Sequence, residues 1–144
     1  MKSTYLRSTL AAIACAATIA LVTPSMAATV NLKADLKASD EVPPNDSKAT
    51  GTVTVTYDTA SKKLSWNGTY KDLTGPATAA HFHGPGEPGK NAGVVVPITP
   101  NTSPFEGSAT LTEAQESDMM GGKWYVNVHT ATNKGGEIRG QLTK

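Results

Sequence analysis

Cysteine, histidine and aromatic side chains are what this 144-residue chain has least of, and each shortage narrows what it does. Its one cysteine, Cys15, lies in an apolar N-terminal run, so the rest of the chain has no disulfide and no thiolate to serve as nucleophile or metal ligand. Neither charge sign is in excess. There are 13 basic and 12 acidic residues, unclustered, which excludes the footprint of a nucleic-acid binder or a membrane-surface patch. No apolar run reaches the roughly 20 residues of a transmembrane helix. No serine sits in a nucleophile elbow, and no phosphate-cradling glycine loop opens a helix. Carboxylate pairs occur only as neighbours in polar loops, such as Asp40-Glu41. Hydrolase and kinase chemistry therefore have no footing.

The N-terminus carries its own pattern. Lys2 and Arg7 precede the apolar run Leu10 to Val22, and Pro24-Ser25-Met26-Ala27 then puts small residues before a cleavage point at Ala28. This predicts a secretory signal peptide over residues 1–27 and a single domain over 28–144, periplasmic or secreted, with no transmembrane segment. Ala12-Ile13-Ala14 is a poor lipoprotein signal ahead of Cys15, so no lipid anchor is expected.

Beyond the leader, period-two alternation dominates. Val30, Leu32, Ala34 and Leu36 alternate with polar residues, as do Val53, Val55 and Tyr57, then Leu64, Trp66 and Tyr70. Further strand-like runs cover 77–83, 93–98, 107–111, 123–130 and 137–142, separated by Gly, Pro, Asn and Asp. The expectation is an all-β Greek-key sandwich, immunoglobulin-like or dismutase-like, of about eight strands. One short helix is expected over Glu113 to Met120, because Thr112 and Gln115 have capping-box spacing and Gly121-Gly122 stops it. Trp66 and Trp124 read as core, and Met119 and Met120 as core plugs rather than soft ligands.

All three histidines fall in two of the strand-like runs, at His81, His83 and His129. Residues i and i+2 share a strand face, so His81 and His83 point one way while Ala80 and Phe82 point the other. By the same parity Tyr125, Asn127 and His129 lie opposite Trp124, Val126 and Val128. If the two strands are neighbours, the three imidazoles converge outside the sandwich. Three neutral imidazoles suit copper, zinc or nickel, and the intrinsic affinity order favours Cu(II). With no thiolate, an open site is expected rather than a closed structural zinc site. The competing reading is that the histidines hydrogen-bond loop carbonyls and fix the Gly/Pro-rich loop 84–92. Arg139 is expected to face outward, where it either holds an anion beside the site or pairs with Glu137 or Asp72. Tyr125 and Asn127 are candidates to support the ligands.

Four stretches together carry a family resemblance: Ala38 to Pro44, Gly75 to Pro85, Trp124 to Thr130, and Gly135 to Leu142. In that order they resemble the CHRD (chordin-type) domain family, which includes small exported bacterial proteins, over about residues 31–143. The order of His81, His83, His129 and Arg139 is also similar to the copper site of copper/zinc superoxide dismutases. The chain lacks the bridging histidine, the remaining zinc ligands and the disulfide cysteines of those enzymes, so that likeness implies no zinc subsite. Three functions stand open. The first is binding of copper or another divalent metal. The second is a structural or protein-interaction module of the envelope, with an extracellular or envelope partner and no metal. The third is a copper-dependent, dismutase-like oxidoreductase. Binding stands ahead of catalysis.

Overall fold

A computed structural model describes residues 27–144. Apart from Ala27, the expected leader lies outside the described residues. Eight strands form in chain order: β1 (Thr29–Lys37), β2 (Thr50–Asp58), β3 (Lys63–Lys71), β4 (Ala77–His83), β5 (Val94–Pro97), β6 (Phe105–Thr110), β7 (Tyr125–Thr130) and β8 (Ile138–Gln141). Helix α1 spans Glu113–Met120 between β6 and β7, with the full capping box: Gln115 N–H donates to Thr112 Oγ1, and Thr112 N–H to the Gln115 side chain. Among the described residues, no helix is long and apolar enough to cross a membrane.

The strands make one nearly closed antiparallel sheet in the order β5-β4-β7-β8-β1-β2-β3-β6. β1, β2 and β3 follow one another as a meander, while long connections return β6 beside β3 and β7 beside β4. This is Greek-key winding. The alternation has a direct cause. Leu32, Ala34 and Leu36 pair across β1–β2 with Val55, Val53 and Gly51, so one face of each strand is apolar and turns inward. Trp66, Phe82 and Trp124 form the aromatic centre: Trp66 meets Phe82 edge-on at 5.2 Å and Phe82 meets Trp124 at 6.1 Å. Met119 from α1 is fully buried among them in the same core.

The two halves of the sheet meet along a short seam between β1 and β8. Lys37 pairs with Arg139 there, and Lys33 exchanges backbone hydrogen bonds with Thr143. A Cβ at Gly140 would collide with the Asp35 carbonyl, so the closest approach of the two halves requires glycine. The expected site residues all lie on the β4-β7-β8 side of this seam.

Candidate metal centre

β4 and β7 are direct neighbours, and their register sets the site. Ala79 lies opposite His129, His81 opposite Asn127, and His83 opposite Tyr125. The parity argument needed only this adjacency. His81, His83 and His129 all project from the outer face, with ring centroids 5.1, 5.4 and 6.2 Å apart. Each offers a nitrogen, and these three atoms lie within 4.8 Å of one another. His81 Nδ1 and His129 Nε2 are 3.2 Å apart, the spacing of two ligands on one ion. Metal–nitrogen bonds of about 2 Å allow at most about 4 Å between ligands, so the widest pair must close by roughly 1 Å.

Two of the rings are already oriented. His83 Nδ1 lies 2.9 Å from the Ala92 carbonyl and His129 Nδ1 lies 2.9 Å from the Lys134 carbonyl. A carbonyl only accepts, so both Nδ1 atoms carry the proton and both Nε2 atoms present a lone pair. Outer hydrogen bonds of this kind aim metal-binding imidazoles. His83 Nε2 is buried and has no hydrogen-bond partner. Burial first, and then the neighbouring imidazoles, push the His81 pKa down. Burial likewise dominates at His83 and lowers it despite the bond to Ala92 and the contact with the Asn127 side chain. Both rings therefore favour the neutral form that a metal requires.

The site is less exposed than the parity of the strands implied. His81 and His129 are half-buried, and His83 is buried at 8 % exposure. The cause is the loop 84–93, which folds over the outer face and adds a layer that strand alternation does not register. Tyr125 Oη donates to the Ala92 carbonyl and accepts from the Ala92 N–H. Gln141 donates to the Gly86 carbonyl.

Arg139 departs most from expectation. It belongs to the outer face, but it is only 2 % exposed. Its guanidinium donates to the Lys90 carbonyl at 2.7 Å and to Asn91 Oδ1 at 3.1 Å, and it lies 3.4 Å from the centre of the Tyr125 ring. Arg139 is thus a loop anchor rather than a rim residue, and neither Glu137 nor Asp72 is its partner. Glu137 is itself fully buried, and its carboxylate accepts from Ser47, Thr74 and Thr130. Tyr125, also buried, stacks on His83 with ring planes 3° apart. Because β7 lies between β4 and β8, the Tyr125 ring has an imidazole from one neighbour and a guanidinium from the other.

The sequence places Glu41 in a polar loop, and the structure corrects this. It follows a short 3-10 turn (Ala38–Asp40) and is 4 % exposed, with Oε1 lacking a hydrogen-bond partner. Burial raises its pKa to about 7, against the pull of Arg139, the Asn127 amide and the Val42 N–H. Asn127 is 3 % exposed and sits between the histidines and Glu41. The four separated stretches 38–44, 75–85, 124–130 and 135–142 thus supply one continuous cluster.

A family model described as CHRD domain matches residues 32–142. No curated protein and no solved structure matches the chain.

Proposed function

This chain belongs to the CHRD domain family, and from that premise we propose that it binds a divalent metal ion, copper foremost, through His81, His83 and His129. The observation that carries the reading is the geometry of the trio. Three ligand nitrogens lie within 4.8 Å, two rings are oriented by backbone carbonyls, and His83 Nε2 is left buried without a partner. Such an atom is costly unless something occupies it. Copper leads because imidazole nitrogen follows the intrinsic order that places Cu(II) above Zn(II) and Ni(II). With the leader-like N-terminus, the activity is metal storage, delivery or detoxification outside the cytoplasm.

A loop-bracing role without metal has one observation in its favour: His83 and His129 each donate to a loop carbonyl. His81 separates the two readings, because among the described residues its side chain hydrogen-bonds His129 alone and it braces no loop. Purified protein titrated with Cu(II) and Zn(II) by calorimetry is expected to show one-to-one binding that His81→Ala and His129→Ala abolish. Binding no tighter than that of a generic surface histidine, or unchanged in His81→Ala, refutes the metal reading. Turnover of superoxide by the copper-loaded protein is the separate test of a dismutase-like activity.

A further inference from the structure

We infer that Asn127 supplies a fourth ligand, through its side-chain oxygen, to the ion held by the three imidazoles. The inference deepens the metal-centre reading and rests on it. Asn127 lies opposite His81 in the β4–β7 register and two residues from His129 on the same strand face, and its amide meets the His83 ring. It is 97 % buried (3 % exposed), and its Oδ1 has no hydrogen-bond partner. His83 Nε2, the nearby imidazole nitrogen, is likewise unpartnered and bears a lone pair, as Glu41 Oε1 is unpartnered on the far side of the amide. The Asn127 side chain is within hydrogen-bond reach of His83, but in the neutral ring, whose proton sits on Nδ1 and goes to Ala92, both facing atoms are acceptors and relieve nothing. A single cation satisfies both.

What decides which end of the amide faces the ion is Glu41. A Cβ placed on Gly136 would overlap both the Glu41 carboxylate and Asn127 Nδ2, so these two groups approach the same point at the edge of the site. A carboxylate accepts and an amide NH2 donates, so the nitrogen belongs on the Glu41 side and the oxygen is turned toward the imidazoles. Gly136, at φ +134°, makes room for that arrangement. The resulting donor set is three imidazole nitrogens and one amide oxygen. An oxygen donor favours a divalent ion over Cu(I), which prefers sulfur ligands. It also fills the position that a three-histidine site otherwise leaves open.

The test is titration of the metal-free protein with Co(II) and with Cu(II), followed by visible absorption and electron paramagnetic resonance respectively. Wild type, Asn127→Ala, Asn127→Asp and His81→Ala are compared. Asn127→Ala is expected to keep one-to-one stoichiometry, to bind about tenfold or more weakly, and to shift the Co(II) bands and Cu(II) parameters. Asn127→Asp is expected to regain tight binding with a third, carboxylate-type signature, and it decides the matter should the alanine variant not fold. Unchanged affinity and spectra in both variants, with binding still abolished by His81→Ala, overturn the ligand role of Asn127 and leave the three-histidine centre standing. That result would assign an ordered water to the unpartnered oxygen. Failure of wild type to bind either ion overturns the metal reading itself, and this inference with it.

Discussion

Replacing Glu137 with glutamine tests whether one buried carboxylate holds the end of the site together. Its oxygens accept from Ser47 Oγ at 2.7 Å, Thr74 N at 2.8 Å, Thr74 Oγ1 at 2.7 Å and Thr130 Oγ1 at 2.6 Å. Burial works hardest against its charge, but these bonds together outweigh it and hold the pKa at about 2, down from 4.5. A carboxylate whose pKa is lowered on folding contributes stability that is complete above the unfolded value and lost as pH falls through the folded one. The window is therefore pH 4.5 down to 2. At about 1.4 kcal/mol per pKa unit, the shift corresponds to roughly 3 kcal/mol. Glutamine keeps the shape but turns an NH2 toward hydroxyl and amide donors, so a loss of about 2–3 kcal/mol is expected at neutral pH. Urea unfolding of Glu137→Gln and wild type, followed by tryptophan fluorescence from pH 7 to pH 2, measures it. The difference between the two proteins should narrow steadily below pH 4.5. A gap that stays constant over that range refutes the assignment of the stability to the Glu137 charge.

Three further outcomes are expected. Replacing Arg139 with methionine removes the bonds to Lys90 and Asn91 and the contact with Tyr125. Limited proteolysis should then cut within residues 84–93 while β1–β3 stay protected, and metal affinity should fall about tenfold; a loop as resistant as wild type contradicts the anchoring role. Because burial lowers the His81 and His83 pKa values, the imidazole proton signals of these two rings in the metal-free protein, followed by NMR, should titrate below the ordinary imidazole value. A midpoint above about pH 6.5 for either ring contradicts that sign. Gly136→Ala should drive a methyl between Glu41 and Asn127 and cost about 1–3 kcal/mol in denaturant unfolding, whereas Gly135→Ala, which meets open space, should be nearly neutral.

The legible parts of this fold are the ones decided locally. Leu32, Ala34 and Leu36 show their inward face by alternation alone, and Thr112 with Gln115 marks the start of α1 because a capping box closes within four residues. The same parity put His81, His83, His129, Asn127 and Tyr125 on one face, but it carried no information on how many layers cover that face. Arg139 shows the consequence. Its strand position was read correctly as opposite the core, yet the loop 84–93 comes from elsewhere in the chain and buries it. Glu41 was illegible for a related reason. An acidic residue in a loop reads as solvated unless one knows that Arg139, Asn127 and Gly136 arrive from far along the sequence to enclose it. Long-range register, not local propensity, builds this corner of the molecule.

The seam between β1 and β8 has a consequence for how such a unit can be joined to other chains. Lys33, in the middle of β1, is bridged to Thr143, just past the end of β8, from where the antiparallel chain runs toward the start of β1. A polypeptide therefore enters and leaves side by side, at the end of the sheet from which β1 begins. Glu41 follows the opposite end of β1, and Gly136 precedes β8 at that same far end. Linkers or neighbouring domains attached at either terminus would emerge together and away from Glu41 and Gly136. The chain ends thus lie at one pole of the sheet and the buried Glu41–Gly136 corner at the other.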